Sequence, residues 1–345
     1  METKIIQVAS QADYPLLQEA ADCLRGGGLA AIPTETVYGL AGNALDAEAS
    51  KKIYAAKGRP QDNPLIVHIS ALCQWAPLVA EIPESALQLA HAYWPGPMTI
   101  ILKKSDRIPD ATSGGLDTVA VRMPEHPIAR EIITRAGVPL AAPSANTSGR
   151  PSPTRAEHVY EDLNGKIDYI IDGGECSVGV ESTVITLVGG TPRILRPGGI
   201  TPEMVRSVLG ICEVDPAVYE QLQAGVKAAS PGMKYRHYAP KARVTVLDGS
   251  LDNYVQYVNA HSTEDSVYAL CFDGEGERLN IPAIEYGAQT DSGAQAHNLF
   301  DALRELDERG AQRVYARMPS GEGVGLAVYN RLMRAASFEV IELES

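Results

Sequence analysis

LAAIPTETVYGL (29–40) begins as an apolar run suited to a buried strand and ends among the hydroxyls of Thr34, Thr36 and Tyr38 and the carboxylate of Glu35. A strand that ends in polar side chains is where open α/β sheets usually hold a site. Just upstream, PLLQEAADCLR (15–25) puts Leu17, Ala20, Ala21 and Leu24 on one helical face and stops at Gly26-Gly27-Gly28. Downstream, DAEASKKIYAAKG (46–58) reads as a helix with Asp46 as N-cap and Gly58 just past its end. Strands are predicted at LIVHI (65–69), MTIIL (98–102), TVAVR (118–122), PLAAP (139–143), YIID (169–172) and STVITLV (182–188), with helices near 84–93, 127–136, 155–163 and 202–209. This irregular alternation predicts a layered α/β or α+β domain on a mixed sheet.

A second β/α series starts at ARVTVLD (242–248). It continues through SVYALCF (266–272), a helix at 294–309, RVYARM (313–318) and a helix at 326–336. That alternation predicts a small Rossmann-like three-layer domain. The expected organisation is a first domain over 1–211, a linker over 212–241 marked by Pro216, Pro231, Gly232 and Pro240, and a second domain over 242–345.

Composition narrows the function. The chain has 345 residues, 45% of them hydrophobic and 21% charged, as in globular domains. No apolar run approaches the roughly 20 residues needed to span a bilayer, and METKIIQVAS lacks the apolar core of a secretory signal. Five scattered cysteines without a CxxC pair point to reduced thiols, a cytoplasmic location and no structural zinc. The net charge of −13 argues against a broad nucleic-acid surface. One segment runs against it: SPGMKYRHYAP (230–240) sets Lys234, Tyr235, Arg236, His237 and Tyr238 side by side. Alternating rings and cations can grip nucleic acid; between two domains they can equally close over a site.

There is no GxxxxGK[ST], HExxH or GxSxG. Gly26–Gly28 follow a helix and read as its stop. Gly321–Gly325 precede one, but lack the GxGxxG spacing and read as a plain helix start. KGRPQDNPLIVH (57–68) is more informative. Its glycine and two prolines stiffen a loop that carries Lys57, Arg59 and Asn63 before His68 enters a strand. Lysine and arginine together suit a polyphosphate. Further polar groups stand at strand ends: Arg122 after TVAV, the loop APSANTSGRPSPT (142–154), Ser182 and Thr183 in ESTV, and Arg196 before Pro197-Gly198-Gly199. Recurrence of Arg, Ser, Thr and Asn there predicts a polar cleft for a multiply charged anion.

Taken in order, PTETVYGL, KxR in KGRPQDNPLIVH, APSANTSGRPSPT, ESTV and RPG resemble the YrdC family signature. SPGMKYRHYAP followed by a second domain resembles its long, two-domain form. The resemblance implies an α/β fold: a YrdC-like twisted mixed sheet with flanking helices, joined by a linker to a Rossmann-like domain. It implies a nucleotidyltransferase joining L-threonine, bicarbonate and ATP into threonylcarbamoyl-adenylate and pyrophosphate. The product would pass to the machinery that modifies tRNA beside the anticodon, with no direct tRNA grip expected of this chain. Thr36, His68, Arg122, Ala142 (through its backbone) and Ser182 match the amino-acid pocket. Arg59, Asn63, Thr118, Ser144, Ser152 and Arg196 match the ATP site. Lys57 and Arg59 would face the triphosphate as catalytic cations, with Mg2+ held mainly by phosphates and water rather than by protein ligands. Tyr235 is expected to contact the nucleotide from a lid. Alternatives are an RNA-binding or ribosome-assembly factor of the same fold, and a carbamoyl-adenylate module of hydrogenase maturation, whose acylphosphatase and cysteine-rich parts are missing from this sequence.

Overall fold

Apolar stripes of period 3.6 and buried runs of period two assemble, in a computed structural model describing residues 2–220, 237–262 and 266–344, into two α/β units. The first carries Met1–Ser148 and Ser152–Val218. The second carries the described residues from His237 onward together with Gly149–Pro151.

The first unit contains β1 (Lys4–Gln7), α1 (Leu17–Arg25), β2 (Ala30–Ile32), β3 (Gly39–Asn43), α2 (Ala47–Lys57), β4 (Ile66–His68), α3 (Glu84–Tyr93), β5 (Met98–Lys103), α4 (Asp110–Ser113), β6 (Thr118–Arg122), α5 (Pro127–Ala136), β7 (Leu140–Ala141), α6 (Ala156–Leu163), β8 (Tyr169–Asp172), β9 (Thr183–Thr186), β10 (Arg193–Arg196), α7 (Pro202–Leu209) and β11 (Glu213–Val214). The strands form one mixed sheet in the order β1-β8-β2-β3-β7-β4-β6-β5-β9-β10-β11. Within it β4 and β6 are parallel, while β7 and β5 run antiparallel to them on either side. The mixed sheet and its longer helices are as expected; α4, β1, β3 and β11 were not foreseen. Pairing of β11 with β10 carries the first unit past 211, into the segment expected as linker.

Local chemistry explains the helices that frame the site. In α1, Leu17, Ala20, Ala21 and Leu24 are fully buried, and they pack with Ile128, Ile132 and Ile133 of α5. Asp46 caps α2 by accepting from Glu48 N at 2.8 Å, and Gly58 ends it at φ +63°, a conformation glycine adopts at little cost. Around β4, β5, β6 and β9 the two sheet faces differ. Val67, Ile100, Val121 and Ile185 enter the main core, whereas Ile66, Ile101, Ala120 and Val184 form a separate small apolar floor. By the two-residue period, His68, Thr118 and Arg122 project on the side of that floor.

The second unit contains β12 (Arg243–Asp248), α8 (Leu251–Ala260), β13 (Val267–Cys271), β14 (Ala283–Glu285), α9 (Ser292–Glu308), β15 (Arg313–Arg317), α10 (Gly325–Ala335) and β16 (Val340–Glu342). Its strands are all parallel, in the order β14-β13-β15-β12-β16, the Rossmann-like layer expected. The end of SPGMKYRHYAP is no solvated tether. Tyr238 is buried, 5.3 Å from the Phe300 ring, with the Arg331 guanidinium 5.4 Å over its own. The remainder of that stretch, Tyr235 and the expected lid with it, lies outside the described residues.

Candidate active site

One group of polar side chains gathers at the carboxyl ends of β4 and β6, where His68 and Arg122 are register partners. Arg122 is buried yet fully engaged on three sides. Its Nη2 donates to Glu35 Oε1 at 2.6 Å, its Nη1 to Thr36 Oγ1 at 2.9 Å and its Nε to Gly96 O at 3.3 Å. Thr34 Oγ1 lies 2.7 Å from Val37 O, its only acceptor there, so Thr36 donates to Thr34 across 2.9 Å and accepts from Arg122. The hydroxyls are therefore ordered in one direction. Two of the five guanidinium N–H groups remain for a ligand carboxylate.

Glu35 Oε2 also accepts from Glu125 N at 3.1 Å, near the start of α5. Burial works to raise the Glu35 carboxyl. The charge and hydrogen bond of Arg122, with backbone N–H groups, outweigh it and hold the carboxyl below its ordinary range. His68 is buried, with Nδ1 3.2 Å from Ile66 O. Burial, then the neighbouring Arg122 charge, pushes its pKa down to about 3, so the imidazole is neutral near pH 7. Ala142 lies alongside. Its N–H is committed to Ile66 O at 2.9 Å, so a backbone contact to a ligand falls to its carbonyl.

A second group occupies the opposite ends of the same strands. Four residues separate Thr118 from Arg122 along β6, roughly 13 Å at about 3.3 Å per residue. Asn63 lies just before β4, buried, with Oδ1 lacking a hydrogen-bond partner among the described residues. Arg59 donates to the carbonyls of Asn63 at 3.3 Å and Pro64 at 3.1 Å, which fixes the proline-framed loop. Lys57 is buried, and its ammonium donates to Ser144 O and Asn146 O, both at 2.5 Å. Lys57, expected to face phosphates, spends these donors on the loop after β7. That geometry makes it a clamp on Ser144 and Asn146.

Ser182, just before β9, stands at the Arg122 end of the sheet. Its Oγ lies 2.8 Å from Thr99 Oγ1 and accepts from Arg196 Nη2 at 3.1 Å, while its carbonyl accepts from Arg196 Nε at 3.1 Å. Thr99 is one residue beyond the Ile100–Val121 pair, hence beside Arg122. Ser152 Oγ donates to Glu181 Oε1 at 2.5 Å. Arg196, expected at the nucleotide, thus bonds to Ser182, expected at the amino acid, and Ser152 bonds to the neighbouring Glu181. Sequence reasoning assigned no role to Glu35, Glu181 or Thr99. Both carboxylates stand in stretches singled out for their hydroxyls, and only the fold shows them buried, Glu35 against Arg122 and Glu181 against Ser152. No thiol competes as a nucleophile here: burial raises the Cys176 thiol and keeps it protonated.

Among the described residues no group of three His, Cys, Asp or Glu side chains is placed to hold a metal ion. Glu35 and Glu181 are engaged by Arg122 and Ser152. The donor set fits a magnesium ion carried on nucleotide phosphates and water better than one caged by protein.

Comparison with known proteins agrees over both units. Residues 22–198 match the Sua5/YciO/YrdC family model, described as telomere recombination. Residues 200–337 match the model described as the C-terminal domain of threonylcarbamoyl-AMP synthase. The threonylcarbamoyl-AMP synthase of Pyrococcus abyssi is 46% identical, covering 99% of this chain and 100% of its own length. That of Bacillus subtilis is 44% identical over 95% of this chain and 94% of its own. The crystal structure of P. abyssi Sua5 complexed with L-threonine superposes with a TM-score of 0.92 at 45% identity, covering 99% of this chain and all of that one. The chain belongs to the Sua5/YrdC family of threonylcarbamoyl-AMP synthases, in its two-domain form.

Proposed function

We propose that the two polar groups of the first unit are the amino-acid and nucleotide ends of one site. The activity is that of the family: L-threonine, bicarbonate and ATP give threonylcarbamoyl-adenylate and pyrophosphate, a nucleotidyl transfer. The observation that carries the two-ended reading is the strand pair β4 and β6, with His68 and Arg122 at one end and Asn63 and Thr118 at the other.

Threonine's carboxylate takes the two remaining N–H groups of Arg122, held in place by Glu35 and Thr36. Its amine lies toward the Ala142 carbonyl and the neutral His68, where no added positive charge opposes loss of its proton. The amine nitrogen bonds to the carbon of bicarbonate, and a water leaves. A carbamate oxygen then bonds to the α-phosphorus while the bond to the β-phosphate bridge breaks and pyrophosphate departs. This chemistry needs alignment and charge neutralisation more than a covalent nucleophile. Arg196 and Ser182 stand where carbamate and α-phosphate would meet. Arg59 stiffens the nucleotide loop and offers its charge, and Lys57 acts through the Ser144–Asn146 loop. When bound, magnesium supplies neutralisation of phosphate charge. The adenylate, a mixed anhydride, is consumed by a separate acyl transfer to tRNA, and this chain has no need to hold the tRNA.

The test is pyrophosphate release from ATP and magnesium, with threonine and bicarbonate omitted in turn. Release that requires both supports the reading. Release that ignores either, or none from folded protein, contradicts it.

A further inference from the structure

All strands of the second unit run parallel, so their carboxyl ends lie along one edge. Crevices for ligands open on that edge where neighbouring strands send the chain to opposite sides. β12 and β15 are such neighbours. From β12 the chain passes through α8 to β13, beyond β15. From β15 it passes through α10 to β16, beyond β12. A cavity of about 310 Å³ lies at this point, walled by Asp248 and Gly249 at the end of β12, Phe272 after β13, and Arg317, Met318 and Ser320 at the end of β15.

Arg317 is its most telling residue. Only 4% exposed, it donates from Nε to both Glu275 oxygens at 3.2 and 3.1 Å and from Nη1 to Gly249 O at 2.8 Å. Its guanidinium packs over the rings of Tyr254 and Phe272. Nη2 makes no hydrogen bond among the described residues and is not one of the fully enclosed atoms, so it can meet a ligand from the cavity. Across the edge stands Asp248, exposed and without an ion pair among the described residues. Its neighbour Leu247 is the register partner of Arg317, so Asp248 and Arg317 leave the sheet on opposite faces, and both line the cavity at its carboxyl edge.

We propose that this crevice binds a free α-amino acid, its carboxylate on Arg317 Nη2 and its ammonium on Asp248. The charge pattern selects that class. Glu275 already matches Arg317, and Asp248 adds a negative charge, so a polyphosphate meets no net attraction. Phe272 gives one ring face to Arg317, which leaves little for stacking a base. The volume is at the lower end for small-molecule sites, about 300–1,000 Å³. The site lies wholly in the second unit and stands apart from the catalytic reading.

The test is calorimetric titration of the full chain with each of the twenty amino acids separately, and with AMP. It is run on the wild type, on Arg122→Ala to silence the threonine pocket, and on Asp248→Asn and Ser320→Trp. Asp248 and Ser320 are exposed, so both variants should fold; circular dichroism checks them and Arg122→Ala, and binding is read only from folded protein. The expected result is an amino acid that still binds Arg122→Ala and binds about tenfold or more weakly to Asp248→Asn and Ser320→Trp. The proposal is overturned if no amino acid shows this dependence, if all binding vanishes in Arg122→Ala, or if AMP alone does.

Discussion

Arg122–Glu35 and Arg317–Glu275 are both buried arginine–glutamate pairs, and they sit in opposite surroundings. Arg122–Glu35, at 2.6 Å, is ringed by the hydroxyls of Thr34 and Thr36 and by a neutral His68. Arg317–Glu275, at 3.1 Å, is ringed by the aromatic faces of Tyr254 and Phe272. A buried pair alone is weak evidence of function, since desolvation offsets much of its attraction. The donors left over decide what each can do. Arg122 retains two N–H groups in a polar cleft spanning two strand ends; Arg317 retains Nη2 at the edge of a parallel sheet.

The largest effect should come from breaking either pair. Arg122→Ala and Arg317→Ala each strand a buried carboxylate, and each should cost about 3–5 kcal/mol of stability in chemical denaturation of the unit concerned. A loss below about 1 kcal/mol in either would mean that its carboxylate is easily rehydrated, and the parallel would fail.

A smaller effect separates clamp from contact within the first unit. Lys57→Met leaves the Ser144 and Asn146 carbonyls without their donor, at a cost of about 1–3 kcal/mol. If Lys57 acts through that loop, the KM for ATP should rise along with the loss of stability. A variant of normal stability with only kcat reduced would restore a direct contact with the phosphates.

The mildest perturbation is pH. The His68 pKa in the folded chain, about 3, lies below its ordinary 6.5, so the unfolded chain takes up the extra proton between them. Stability falls as pH drops below about 6.5, and His68→Asn should flatten that slope in urea titrations at successive pH values. The Glu35 carboxyl is also held below its ordinary 4.5. Its contribution is present above that value and lost as pH falls through the folded pKa, so Glu35→Gln should flatten only the acidic limb. Identical slopes in both variants and wild type would remove these groups from the account.

The same contrast shows what a sequence can carry. Strands β4, β5 and β6 and the caps of α2 are legible because run length, Asp46 and Gly58 are local signals. The site residues are legible because their motifs recur in order. β3 is not, since GLAGN lacks branched or aromatic residues and becomes a strand only between β2 and β7. α8 has its signal in the Ser250 cap and the Tyr254–Val258 spacing, which the coarse alternation passes over. The contacts that Lys57 makes could not be read from its neighbours. Its partners Ser144 and Asn146 lie 87 and 89 residues away, and only the folded chain brings that ammonium to the loop. Arg317 sits in a stretch with no motif; its meaning comes from strand order.

The two-ended site is the central claim, and binding of each substrate to one variant tests it most directly. Threonine and ATP are titrated separately into wild type and Arg122→Ala by calorimetry. Loss of a charge-assisted contact of about 1.5–3 kcal/mol predicts threonine binding weaker by roughly 10- to 100-fold, with ATP affinity within about twofold of wild type. ATP affinity lost while threonine affinity is kept would contradict the account.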